Sequence, residues 1–136
     1  MSKKNNLVNL FENFCKEKKY EINKNKIEII KSLDDFLHPK KNLFSLFYKK
    51  KQNYCFYLSG NVGVGKTMIL DFVFNSLSIN KKRSHFNEFM LNFHDFRNTQ
   101  KKENSISNFV KNLKSKYDLI YLDEFQVTNI VDAMIL

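Results

Sequence analysis

The apolar residues of this chain fall into helical stripes and short unbroken runs, in an order that predicts a helical N-terminal part followed by alternating strands and helices. Leu7, Leu10, Phe11 and Phe14 stand at i, i+3, i+4 and i+7 within residues 5–18 and predict one helix. Ile27, Ile30, Leu33, Phe36 and Leu37 predict a second over residues 25–37, closed at His38-Pro39 because the residue before a proline is pushed out of the α region. A shorter stripe of Leu43, Phe44, Leu46 and Phe47 predicts a third helix ahead of the lysine run Lys49 to Lys51. At Tyr54 the pattern changes: Y-C-F-Y-L is an unbroken apolar run and predicts a strand over residues 54–59, buried on both faces, with Cys55 in the core. Met68, Leu70, Asp71, Phe74 and Leu77 then predict a helix over residues 66–78. A second strand is predicted over residues 82–87, a helix over residues 88–97 with Phe89, Phe93 and Phe96 on one side, and another helix carrying Ile106, Phe109, Val110 and Leu113 that ends near Tyr117. The last apolar run, L-I-Y-L at residues 119–122, predicts a buried strand that delivers Asp123 and Glu124 at its C-terminal end.

Composition adds a basic bias to this α/β pattern. With 136 residues, 43% of them hydrophobic, and no linker rich in Pro, Gly or Ser, the chain can build one core, and disorder is disfavoured. The net charge is +9 and sits mostly at the front: residues 1–53 carry 13 Lys/Arg against 6 Asp/Glu, residues 54–136 carry 10 against 8. A basic helical segment, residues 1–53, is therefore expected ahead of an α/β part, residues 54–136. Such a surface could attract nucleic acid or anionic lipid, but Arg83 and Arg97 are the only arginines. Arginine is the bidentate reader of phosphate, so its scarcity argues against nucleic acid and for a solvated lysine face. Cys15 and Cys55 lack any metal-ligand spacing and read as free thiols of a reducing compartment. No run approaches the ~20 apolar residues of a membrane span, and no secretory or transit pattern opens the chain, so the cytoplasm is expected.

Within this frame one stretch carries chemistry. Gly60 to Thr67 reads G-N-V-G-V-G-K-T and fits the phosphate-loop (Walker A) pattern G-x-x-x-x-G-K-S/T without a mismatch. The three glycines of the chain, Gly60, Gly63 and Gly65, all fall inside it, where a tight loop must bring main-chain N–H groups to an anion. The alternative, a glycine turn with no ligand, is weakened by the predicted strand before and helix after. Backbone N–H groups of Val62 to Thr67, within a binding stretch of Gly60, Asn61, Val62, Gly63, Val64, Gly65, Lys66, Thr67 and Met68, are expected to hold the β-phosphate of a nucleotide, helped by the positive end of the following helix. Lys66 is expected to reach β- and γ-oxygens, and Thr67 to ligate Mg2+. Asp123 (Walker B) would hold the same ion directly or through its water, and Glu124 is the candidate general base for the attacking water. An acid pair at a strand end is weak by itself, and gains weight one crossover downstream of a phosphate loop.

Three blocks, G-N-V-G-V-G-K-T-M-I-L-D, H-F-N-E-F-M-L-N-F-H and Y-L-D-E-F-Q-V-T-N-I-V-D-A-M-I-L, resemble consecutive signatures of the ZapE-type AAA+ ATPases, whose mitochondrial relatives are the lactation-elevated proteins. The likeness covers residues 54–136, with a looser similarity before. It implies a P-loop NTPase of three α/β/α layers, an ATP hydrolase connected with cell division at the bacterial inner membrane or with mitochondrial protein quality control. It also implies a ring in which a neighbouring subunit supplies an arginine, and peripheral association with an anionic membrane. The family roles carry over to Lys66, Thr67, Asp123 and Glu124. Asn87 departs from the family's usual histidine and Asn129 from its frequent aspartate.

Members of this family are much longer, so the sheet is expected to be incomplete: in the family order 5-1-4-3-2, a fourth strand would stand between the strands at 54–59 and 118–123. The competing expectation is therefore a fragment that binds nucleotide or a partner chain without hydrolysing ATP. His85 and His94 have no cysteine or carboxylate at ligand spacing and are expected to pack or to sit at a polar surface. GTP is disfavoured by the lack of an N-K-x-D guanine motif.

Overall fold

Helix α1, Leu7–Lys18, opens a computed structural model that describes residues 7–39, 55–61, 63–99, 104–127 and 130–134. The predicted helix around Leu43 to Phe47 lies outside these residues. Contacts divide the chain into two compact units, residues 1–76 and residues 77–136. The expected change of character at residues 53 and 54 is a different cut, and it also falls outside the described residues.

In the first unit α1 is followed by α2, Lys24–Leu37, and α3, Lys66–Ser76. The α1 face that packs is Leu7, Val8, Phe11 and Cys15, while Leu10, predicted in the stripe, is 37% exposed. The i+4 spacing from Leu7 through Phe11 to Cys15 runs along the buried line. Asn23 caps α2, its Oδ1 accepting from the Lys26 N–H at 2.9 Å, and Leu37 ends it, as the His38-Pro39 step requires. The Phe72 ring on α3 meets Phe11 at 5.1 Å and Phe14 at 5.0 Å. Ile69, Phe72 and Val73 are the buried positions of α3, in place of the predicted Met68, Leu70 and Phe74. M-I-L-D-F-V-F is apolar on several sides, so its periodicity alone does not choose a face; the rings on α1 do.

Residues 55–61 form neither helix nor strand, which corrects the predicted strand at 54–59. An apolar run becomes a strand only where a neighbour pairs its N–H and C=O groups, and the sheet among the described residues consists of two other segments. Cys55, expected in the core, is exposed, and Tyr57 is 68% exposed.

The second unit holds that sheet. Strand β1, Lys81–His85, runs directly into α4, Phe86–Thr99; α5, Ser105–Lys116, returns the chain to β2, Leu119–Asp123; α6, Ile130–Ala133, is the last described element. β1 and β2 are parallel, in register from Lys81 opposite Leu119 to His85 opposite Asp123. Asn80 and Asp118 tie the two strand entries together, the Asp118 N–H donating to the Asn80 carbonyl at 2.7 Å. Phe86, Met90 and Phe93 of α4 form the core, with Phe89, Phe109 and Leu122 against it. Phe109 is its hub, facing Phe93 at 5.2 Å, Phe96 at 5.4 Å and Phe89 at 5.6 Å. Full burial of each such ring is worth about 1.5–3 kcal/mol. Ile106 and Val110, predicted to pack with Phe109, are exposed because no described element covers that side of α5. The predicted burial of β2 is also partial, all five of its residues being half-buried.

Candidate functional site

The phosphate-loop candidate is built by backbone geometry. Gly63 and Gly65 have φ of +84° and +86°, a region that side chains with a Cβ rarely adopt. These two reversals curl the chain into α3, whose first bond joins the Ile69 N–H to the Gly65 carbonyl at 3.1 Å. Lys66 opens that helix and folds back over the loop, its Nζ donating to the carbonyls of Gly60 and Asn61 at 2.7 Å each. Two neutral carbonyls thus hold a full positive charge at the mouth of a glycine loop. Thr67 is exposed in the first turn of α3, Met68 is half-buried, and Val64 is 51% exposed. Val62 lies outside the described residues. A cavity of about 550 Å³ lined by Phe14, Tyr20, Met68, Asp71, Phe72 and Asn75 reaches the α3 end of this region only at Met68.

The acid pair ends β2 in the second unit. Asp123 is the last strand residue, and Glu124 turns away with φ +51°, its N–H donating to Asp123 Oδ1 at 3.0 Å. Asp123 Oδ2 accepts from Arg83 Nη2 at 2.5 Å. Register explains the meeting: Arg83 stands opposite Tyr121, and Asp123 is two residues further on the same face. The guanidinium also lies over the Tyr121 ring, 5.0 Å from its centroid. Burial alone would raise the Asp123 carboxyl, but the Arg83 hydrogen bond and charge and the Glu124 N–H outweigh it and hold the pKa below the usual carboxylate range. Glu124 is far more open, its side chain 79% exposed, with His85 Nδ1 at 3.7 Å. His94 Nε2 meets Asp132 Oδ1 at 2.8 Å between α4 and α6.

Sequence reasoning missed Arg83, Tyr121 and Asp132 as partners. An arginine two positions before the end of the neighbouring strand was the available signal for Arg83, and it required the register. In the first unit the Thr67 hydroxyl is a hard oxygen donor; in the second, taken by itself, the Asp123 carboxylate is one. No cluster of three or more His, Cys, Asp or Glu exists among the described residues. Few protein ligands suit Mg2+, which commonly arrives with phosphate oxygens and keeps waters.

Among the described residues helix is combined with parallel strand, a glycine loop opens α3 and an acid pair closes β2. Comparison narrows this: residues 14–136 match the family model described as AFG1-like ATPase, and the chain belongs to that family. It is similar to lactation elevated protein 1 homolog B of Danio rerio, 40% identical over 96 residues, which cover 60% of this chain and 19% of that protein. It is also similar to cell division protein ZapE of Escherichia coli K12, 37% identical over 82 residues, 59% of this chain and 22% of that protein. The chain thus spans about a fifth of the length of the curated relatives it matches. No solved structure matches it.

Proposed function

We propose that this chain carries the nucleotide-binding part of a Mg2+-dependent ATP hydrolase of the P-loop AAA+ fold, three α/β/α layers, with Gly60 to Met68 on the phosphates. The observation that carries this reading is Lys66 held over the glycine loop by the Gly60 and Asn61 carbonyls. A phosphate oxygen is a stronger acceptor for an ammonium than a neutral carbonyl, so nucleotide would draw Lys66 off the loop. Thr67 and Asp123 would hold Mg2+, which when bound supplies charge neutralisation on the phosphate oxygens. The Arg83 guanidinium and the Glu124 N–H favour the ionised Asp123 carboxylate that this role needs. Glu124 would take the proton of the attacking water.

The test compares phosphate release and ATP affinity for wild type, Lys66→Ala and Glu124→Gln. Lys66→Ala should lose binding, while Glu124→Gln should bind ATP and not turn it over; equal rates in all three would sink the hydrolase reading. A second reading, nucleotide or partner binding without hydrolysis, is favoured by the exposure of Glu124, since a general base works from a water-excluding position. Binding by wild type without turnover, or turnover only with an added partner chain, would decide for it.

The relative named a cell division protein supports a role for this chain in cell division, and protein remodelling is the other role proposed for it. We further propose assembly into a ring or with a partner protein, a cytoplasmic location, and peripheral contact with an anionic membrane through the lysine-rich N-terminal segment. Among the described residues no helix is long and apolar enough to cross a membrane.

A further inference from the structure

Helix α2 brings a second lysine to the phosphate loop. A Cβ added to Gly65 would lie 3.8 Å from Cε of Lys26 and 3.5 Å from Cε of Met68, so the loop at Gly65 is faced by two side-chain ends. Lys26 belongs to the first turn of α2, and the Asn23 cap fixes its backbone. Its stem is half-buried, and its Nζ donates to the Glu21 carbonyl at 2.7 Å. Among the described residues no carboxylate pairs with it, although Glu21 and Glu28 are near in sequence.

The position runs against local electrostatics. The first turn of α2 contains Lys24 and Lys26 and no acid, where the positive end of the helix dipole disfavours cations. Local choices that cost stability without a local gain concentrate where a site needs them. Lys26 also matches Lys66 in its bonding: each ammonium beside the loop rests on neutral backbone carbonyls and not on a carboxylate. A carbonyl is given up readily for an anionic oxygen. With Cε already beside Gly65, rotation about the last side-chain bonds would be enough to turn the Lys26 Nζ from Glu21 toward the loop.

We propose that Lys26 is a second phosphate-binding cation of the loop, contacting the diphosphate of a bound nucleotide from the Gly65 side and making α2 part of the nucleotide site. This rests on the phosphate-loop reading above. The N-terminal helical segment then does more than add charge to the surface: it supplies a ligand to the site.

The test is titration of the full chain with ADP and with inorganic pyrophosphate, for wild type, Lys26→Met, Lys26→Arg and Lys66→Ala, with circular dichroism and thermal midpoints alongside. Lys26→Met should bind both ligands roughly ten- to a hundredfold more weakly, the loss expected for one charged hydrogen bond. Lys26→Arg should restore most of the affinity, and added salt should narrow the gap between wild type and Lys26→Met. Wild-type affinity in Lys26→Met, with Lys66→Ala impaired, overturns this inference and leaves the loop reading standing. Weakening for ADP but not for pyrophosphate would place Lys26 on the sugar or base and overturn it too, as would equal weakening in Lys26→Met and Lys26→Arg with a lowered thermal midpoint. Wild type that binds neither ligand removes the loop reading itself.

Discussion

The two units hold their charged groups by opposite means. In the first, Lys66 is tied to carbonyls five and six residues earlier in the chain, and glycine dihedrals shape its loop. In the second, Asp123 is tied to Arg83 on the neighbouring strand, 40 residues away, so its charge is set by sheet register and core packing. A locally held group depends on a few backbone angles; a remotely held one depends on a whole unit being folded.

The largest test of this contrast is Phe86→Ala. Phe86 is 1% exposed in the second core, and its truncation should cost about 3–5 kcal/mol. Hydrogen exchange should show loss of protection in β1 and β2 while α3 keeps its own; loss of protection in α3 to the same extent would break the contrast. Next comes Gly63→Ala. A methyl there meets nothing within 4 Å, so its cost is the +84° φ alone, about 1–2 kcal/mol. Chemical denaturation should report that loss together with weaker ADP binding, and β1 and β2 should be undisturbed.

Arg83→Met should cost less, about 0.5–1 kcal/mol, because the guanidinium is 40% exposed and its ion pair is screened. Its signature is pH dependence. Since Asp123 ionises more readily in the folded chain, its contribution is fully present above the unfolded pKa and is lost as pH falls through the folded one, below about pH 4. Urea unfolding at pH 7 and pH 3 should therefore show a smaller acid-side loss in Arg83→Met than in wild type. His94→Ala, which removes the bond to Asp132 between α4 and α6, should have an effect of similar size, about 0.5–1 kcal/mol by thermal unfolding, without the pH signature.

The same contrast separates what could be read from the sequence from what could not. The end of α2 at Leu37 and the turns at Gly63 and Gly65 are set by neighbours a few residues away and were legible; the run ending at Asp123 was legible as a strand from its apolar residues, although its pairing with β1 was not. The burial of Cys15 in place of Leu10 was not, because a helical stripe wide enough for either is narrowed only by the helix that packs on it. Cys55 and residues 55–61 show the same limit: apolar character marks a segment for burial, and a partner decides whether it is covered. The Arg83–Asp123 pair and the approach of Lys26 to Gly65 depend on register and helix placement, which no window of sequence contains.

The parallel pairing of β1 with β2 also bears on the order in which the chain folds. Residues 86–118 intervene between the two strands, and closing that span costs chain entropy before any ladder bond forms. Helices α4 and α5, whose contacts are local, can form first and shorten the gap through the Phe93–Phe109 and Phe96–Phe109 contacts. Arg83 would then meet Asp123 among the last events, so that the carboxylate acquires its perturbed acidity only when the second unit is complete.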